Sequence, residues 1–444
     1  MIKKTGRMLF GAGVAFALLL VIFLFPAYAV SDSNDAFLET GIIINQRMRR
    51  LSAGEELENW KQTQNIKAVR MTDSLPDDFA PTPDNTVSTA DSGYPIYILF
   101  DNDEDAGIMY FYTEGDRIVM NPDSRFMFYN YPQLSDISGL ADWDASHVTS
   151  MYSMFEHAAS LPDALALRNW NTSSVTDMGF MFSGASSMMC IDVSKWNTSK
   201  VTSMIAMFQV GKSYEADGQL REIFGIGNLD VSNVRDMTCM FYGAGKMTYY
   251  DIANWDVSKV ESMNHMFCDN VSLRSLDLSK WDVSNVKTMY CMFDDNHALR
   301  TIGDVSHWDT ASLIDAGGWL NYSYSFVGNS YSGLLDLSGW DTHNLKAVGE
   351  MFLGTRIQKI DLSGWTFDSI TNDGWEGAGN DIYYEYGNAN SAVQGFGKMF
   401  RKTVGLSAVY VSEQGLDSFN AAVEKGVNTE DMWADSLCTG FTLK

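Results

Sequence analysis

Several residue sets in this sequence have types and spacings that carry chemistry. Methionines recur as M-x-x-M at Met151/Met154, Met178/Met181, Met204/Met207, Met237/Met240, Met263/Met266 and Met289/Met292. Paired thioethers are soft ligands that suit Cu(I). Cys239, His265 and Cys291 hold one position in three consecutive copies of a repeat, an imidazole between two thiols, which are zinc or copper donors. Asp101, Asp103 and Asp105 in DNDEDAG mimic the opening ligands of a calcium loop. Asp251, Asp277, Asp304, Asp336 and Asp361, preceded by Asp192, recur once per repeat. Stacked, they form an acidic column able to hold hard cations.

Each set also has a plain reading. Every methionine pair precedes a phenylalanine at the same phase, and methionine fills irregular cores well. Two strand spacings separate Cys239 from Cys291 by about 10 Å, which forbids a direct disulfide, and a closed metal site wants four ligands. In DNDEDAG the glycine falls at the seventh position and Tyr112 stands where a twelfth-position glutamate belongs, so a solvated turn competes with calcium. Like charges at sheet spacing need solvent, a cation or a basic partner, and aspartates that bond local backbone explain the column equally well. No G-x-S-x-G, H-E-x-x-H, P-loop or dinucleotide fingerprint occurs, so the expectation is no enzyme, no obligatory cofactor and at most calcium.

The elements that position these residues are repeats. WDVSNVKTMYCMF at Trp281–Phe293 is rewritten from Trp143, Trp170, Trp196 and Trp255, with Leu229 leading another copy and weaker copies at Trp308, Trp340 and Trp365. Successive anchors lie 27, 26, 33, 26, 26, 27, 32 and 25 residues apart, a period that signals stacked units burying one continuous strip. Within a unit, Leu276-Asp277-Leu278 alternates like a short strand. Asp282 and Ser284 sit at turn and N-cap positions, and Ser258 with Glu261 fits a capping box. Val286, Met289, Met292 and Phe293 trace one face of a short helix. The expected fold is therefore an α/β repeat: a leucine-rich-repeat-like solenoid of about nine coils, short strand plus short helix each, with an N-terminal α+β cap. The residues three before each anchor (Val193, Ile252, Leu278, Val305, Leu337, Leu362) belong in the core. Those just after it (Asp144, Asn171, Asn197, Asp230, Asp256, Asp282, Asp309, Asp341) belong at turns.

Ahead of the repeats, Lys3, Lys4 and Arg7 precede an apolar run from Met8 to Phe25 and then Ala27-Tyr28-Ala29. This is the pattern of a secretory signal ending at residue 29, with a retained anchor as the competing reading. Residues 30–133 divide into a helix over Asp35–Trp60, a proline-rich linker over Leu75–Asp91, and paired strands YPIYILF and GIMYFY. Residues 134–405 form the repeat region and 406–444 a C-terminal cap. Without residues 1–29 the chain carries 28 basic against 56 acidic residues, a surface that repels nucleic acid and anionic lipid. The five cysteines cannot all pair, which argues against a disulfide scaffold in an exported protein.

At these motifs the sequence resembles the BspA-family leucine-rich repeat surface proteins of bacteria, in the branch whose W-D-T-S-x-V-T-x-M-x-x-M-F repeat was first noted in mycoplasma surface lipoproteins. The likeness runs from Trp143 to about Phe400, and extends to NPDSRFMF at Asn121–Phe128 and to AVYVS at Ala408–Ser412. It implies a secreted or cell-surface protein of a family implicated in binding host proteins and in adhesion, with no catalytic residues to carry over. The cell-wall attachment segment found in many relatives is missing from the C-terminal sequence, so wall anchoring is not implied.

The period breaks in three places of shared composition: VGKSYEADGQ after Gln209, GGWLNYSYSFVGNSYSG at Gly317–Gly333, and a long insert between Trp365 and Met399. Insertions in repeat arrays map to one face, and Tyr, Trp, Gly, Asn and Ser suit recognition. Trp319, Tyr322, Tyr324, Trp375, Tyr383, Tyr384 and Tyr386 are the expected ligand-binding residues, for an extracellular protein or glycan. The alternatives are a passive surface element and a calcium scaffold built on the aspartate column.

Overall fold

The computed structural model describes residues 34–53, 65–211, 218–328, 333–372 and 395–444. The expected signal peptide lies outside them. Near the N-terminus, β1 (Ala36–Phe37) leads into α1 (Gly41–Ala53), so the helix begins six residues after the predicted start at Asp35. Gly41 is required there because a Cβ would stand 2.3 Å from the Arg125 carbonyl oxygen. The next strands are β2 (Ala68–Met71), β3 (Tyr97–Asp101), β4 (Ile108–Tyr112) and β5 (Ile118–Val119). Strands β3 and β4 are the expected antiparallel pair, with Tyr97 opposite Tyr112 and Asp101 opposite Ile108. Strand β2 adds parallel to β4 and β1 parallel to β5. The proline-rich segment is not a free linker: Val87 is buried and its N–H donates to Ile96 O at 2.8 Å.

The repeats do stack in register, but the leucine-rich-repeat-like coil of short strand plus short helix is overturned. Among the described residues only two α-helices form, α1 and one near the C-terminus, and neither lies in the repeats. The expected strand segment survives in places as β6 (Cys190–Asp192), β7 (Glu222–Phe224), β8 (Leu334–Asp336) and β9 (Lys359–Asp361), three residues each. The expected helix is a run of tight turns. In Thr288–Asp295, the N–H groups of Met289, Cys291, Phe293 and Asp295 donate to Asp315, Gly317, Trp319 and Asn321 of the following repeat at 2.9 Å. The alternate residues Met292 and Asp294 bond back to Met289 and Cys291 at 3.1 and 3.2 Å. An α-helix satisfies its own N–H groups and has none to give a neighbour. The break is local as well: Ser153, Phe180, Ala206, Cys239, His265 and Cys291, one per repeat, have φ between 51° and 57°, a left-handed conformation that no α-helix accommodates. Apolar spacing of three and four is shared by a helix and by such turns, and for that reason the sequence pattern points to the wrong element.

Register turns side chains into columns. Phe128, Phe155, Phe182, Phe208, Phe241, Phe267 and Phe293 stack at centroid separations of 5.2 to 6.1 Å with ring planes within 16°. All are fully buried, each contributing on the order of 1.5–3 kcal/mol of transfer free energy. Trp170, Trp196, Trp255, Trp281, Trp308, Trp340 and Trp365 each donate Nε1–H to a carbonyl of the preceding repeat, at 2.9–3.3 Å. The acceptor is always the residue three before the previous anchor, so one bond locks anchor to core column. The indole thereby buries its ring without stranding its donor.

The ends of the stack are closed by different means. The Asn45 amide in α1 donates to Phe126 O, Met127 O and Tyr129 O at 2.9–3.2 Å, and Arg49 donates to Tyr129 O at 2.7 Å. Carbonyls of the first turn run, which have no earlier repeat to bond, are satisfied by the helix. At the other end β10 (Ala408–Val411) pairs with β9 and leads into α2 (Glu413–Glu424), while β11 (Thr442–Leu443) pairs with β10 on its outer side. Phe400, Phe419, Trp433 and Phe441 pack around α2.

Candidate functional site

All twelve methionines of the M-x-x-M pairs are fully buried in the main core beside the phenylalanine column. Their thioethers pack and do not face solvent. Cys239, His265 and Cys291 do share a column: His265 N–H donates to Tyr290 O and Cys291 N–H to Gly317 O, at the left-handed position of each turn run. The sequence reading missed Cys268, whose thiol is close enough to Cys239 and Cys291 to feel both. Burial pushes the Cys268 and Cys291 thiols well above the usual range and pulls the His265 imidazole down to about 4. The groups are therefore neutral near pH 7, with none of the depressed thiol acidity that marks a reactive cysteine. All five cysteines are free.

The acidic sets resolve into turn caps. Asp192, Asp277, Asp304, Asp336 and Asp361 each accept the N–H two residues on, from Ser194, Ser279, Ser306, Ser338 and Ser363, at 3.0–3.1 Å. Asp251 lies against Gly227, and Asp361 also binds Lys444 Nζ. The residues after the anchors, Asp144, Asn171, Asn197, Asp230, Asp256, Asp282, Asp309 and Asp341, accept an N–H two residues on in the same way, at 2.9–3.1 Å. The acceptor is thus the aspartate or asparagine, not the Ser284-type hydroxyl, and Glu261 is not part of a capping box. It bridges Arg235 and Lys287 of the flanking repeats at 2.9 and 2.6 Å. In DNDEDAG, Asp101 caps its own Asp103 N–H at 2.9 Å and Asp105 pairs with Lys67 at 2.7 Å. Neither acidic set converges on a common centre, and among the described residues no group of three or more His, Cys, Asp or Glu is placed to hold a metal ion.

A further carboxylate series went unread. Asp177, Asp236 and Asp315 open the turn run, at the phase where other rungs have Asp123, Ser150, Ser203, Ser262, Thr288 or Ala347. Each caps the N–H two residues on, at 2.8–2.9 Å. Burial raises all three, Asp315 to about 6. The exchange of Asp with Ser at one phase was the available signal.

Of the aromatic recognition set, Trp319 is fully buried, edge-on to Phe293 at 5.8 Å and to Trp340 at 5.1 Å. It replaces a methionine in the core and is not a surface contact, a correction to its expected role. Tyr322 and Tyr324 are different. The turn run ends at Tyr322 (φ 48°), and Tyr324 is 42% exposed with its ring 5.8 Å from Tyr322 and stacked on His297 at 5.2 Å. Gly354 of the next repeat lies under both rings, where a Cβ would come within 3.0 Å of Tyr324. Asp294 and Asp295 flank this edge, near enough to help raise the Tyr324 hydroxyl, whose main cause is burial. His297 joins the edge through a neighbouring repeat, a contact no single segment of sequence reveals. Trp375, Tyr383, Tyr384 and Tyr386 lie outside the described residues, as do parts of the other two inserts.

Among the described residues no helix is long and apolar enough to cross a membrane. No curated protein matches the chain. One family profile does, over residues 123–223, 219–333 and 303–374, more than half of the sequence and the same stretch that carries the turn-run ladder. The chain belongs to the family described as Mycoplasma protein of unknown function, DUF285.

Proposed function

We propose that this protein is a non-enzymatic recognition protein, exported and displayed outside the cell or released from it, that binds an extracellular protein or glycan. The resemblance of its repeats to BspA-type surface proteins and the basic-apolar-A-x-A start support that setting. The observation that carries the recognition reading is the Tyr322–Tyr324–His297 edge. Rigid aromatic rings stand at a break in the period, seated on Gly354 and flanked by Asp294 and Asp295. Aromatic faces with the partly exposed Asp295 carboxylate beside them, 3.2 Å from His297 Nε2, offer stacking area and a hydrogen-bond acceptor at low conformational cost. The paired methionines and Cys239, Cys268 and Cys291 are buried, which favours binding over catalysis at these positions.

The test is binding to glycan and extracellular-protein arrays by wild type and by Tyr322→Ala/Tyr324→Ala. A saturable ligand should lose at least tenfold in affinity in the variant while circular dichroism stays native. An unchanged binding profile would sink the assignment to this edge. Binding to nothing on either array would favour a passive surface element.

A further inference from the structure

Against a formal charge of −25, one face of the stack carries a row of arginines. Arg274 and Arg300 occupy one phase on adjacent rungs: Arg274 N–H donates to Thr248 O at 3.3 Å, and Arg300 N–H to Arg274 O at 3.0 Å. Val327 N–H then donates to Arg300 O, and Arg356 N–H to Phe326 O, at 3.3 and 3.1 Å. Arg221, bonded through its N–H to Met189 O, holds the same phase two rungs before Arg274. All four arginines are exposed. Three other arginines on this stack meet a carboxylate, Arg125 with Asp123 at 2.8 Å, Arg235 with Glu261 at 2.9 Å and Arg401 with Asp431 at 3.0 Å, while Arg168 forms no such pair among the described residues. Among the described residues, none of the four in this row has an ion-pair partner. Adjacent like charges at about 5 Å are unfavourable unless an anion answers them. At that step, Arg221 to Arg356 spans roughly 25 Å.

We infer that the Arg221–Arg274–Arg300–Arg356 row is a binding stripe for a linear anionic glycan, a sulfated or carboxylated polysaccharide laid across the rungs. The guanidinium fork matches sulfate and carboxylate oxygens in pairs. The row ends in an open depression of about 570 Å³ lined by Val327, Arg356, Gln358, Val404 and Ser407, with amide and hydroxyl groups for sugar hydroxyls beside apolar contact for a ring face. A peptide strand is disfavoured because the backbone N–H groups along the row already bond within the ladder, leaving none for strand addition. Single-stranded nucleic acid would share the guanidinium contacts and could use the ring of Tyr249, exposed beside Thr248 in the row, so it is the competitor that the test below includes. The stripe rests on the reading of the chain as a recognition protein but not on the tyrosine edge.

The test uses the full chain and a heparin oligosaccharide as probe, with polyglutamate and single-stranded DNA as competitors, read by fluorescence anisotropy at two salt concentrations. Wild type should bind heparin saturably and more weakly at high salt. Arg274→Ala/Arg300→Ala should lose at least tenfold, Arg274→Lys/Arg300→Lys should lose less, and Arg235→Ala and Tyr322→Ala/Tyr324→Ala should bind as wild type. Equal binding by the Arg274→Ala/Arg300→Ala variant overturns the stripe, and so does the absence of heparin binding. Stronger competition by DNA or polyglutamate overturns the glycan as its ligand. Loss of heparin only in the tyrosine variant would move the site to the aromatic edge and leave the recognition reading standing.

Discussion

At the scale of single residues, polar groups on this chain act mainly on their own backbone. The aspartate and asparagine columns accept N–H groups two residues on, which explains why Asp and Asn interchange after the anchors and why the repetition does not imply a cation. The buried members of the set have a thermodynamic consequence. The Asp315 carboxyl is raised by burial from the ordinary carboxylate range to about 6, while its Oδ1 accepts Gly317 N–H at 2.8 Å. Its folded-state value lies above its unfolded one, so its contribution to stability is fully present below about pH 4 and is lost as pH rises through about 6. The size is roughly 3 kcal/mol. Asp315→Asn keeps an acceptor at Oδ1 and cannot ionise. The unfolding free energy of wild type relative to this variant should fall by about 2 kcal/mol of that between pH 4 and pH 6.5 in denaturant titrations; a constant difference across the range would refute it.

At the scale of the element, the unit of construction is the turn run with its two left-handed residues. Cys239, His265 and Cys291 take the first such position, and Gly243, Asp269 and Asp295 the second, four residues later. The alternation of N–H groups, one to the next rung and one back along the chain, leaves the segment unable to form a helix whatever its apolar period. Lys402 holds the second position near the C-terminal end, at φ 57°, with its side chain exposed. A left-handed residue with a Cβ costs about 1–2 kcal/mol, and glycine relieves it. Lys402→Gly should therefore raise the melting temperature and Lys402→Val lower it, each by about 1 kcal/mol in unfolding free energy. The reverse order would show that these turns are not left-handed in solution.

For the whole molecule, stability comes from repetition: the phenylalanine column, the indole-to-carbonyl bonds and the turn ladder each link one rung only to its neighbours. Removing residues 262–287, one full period, joins Glu261 to Thr288 at the phase Ser262 held. That deletion should leave native far-UV circular dichroism and a single cooperative unfolding transition, whereas deleting 262–274 puts every later side chain out of column and should not fold. The sequence alone determined the period, the register, the buried columns from Val193 to Leu362, and the turn role of the residues after each anchor. It did so because burial and capping depend on a residue's phase, which repetition displays. Only the tertiary structure decided that the M-x-x-M-F segment is a turn ladder and not a helix, that Trp319 faces the core, and that His297 meets Tyr324 while the arginines align. Those outcomes depend on which neighbouring rung receives each N–H and each side chain, and apolar spacing within one rung is the same for either answer.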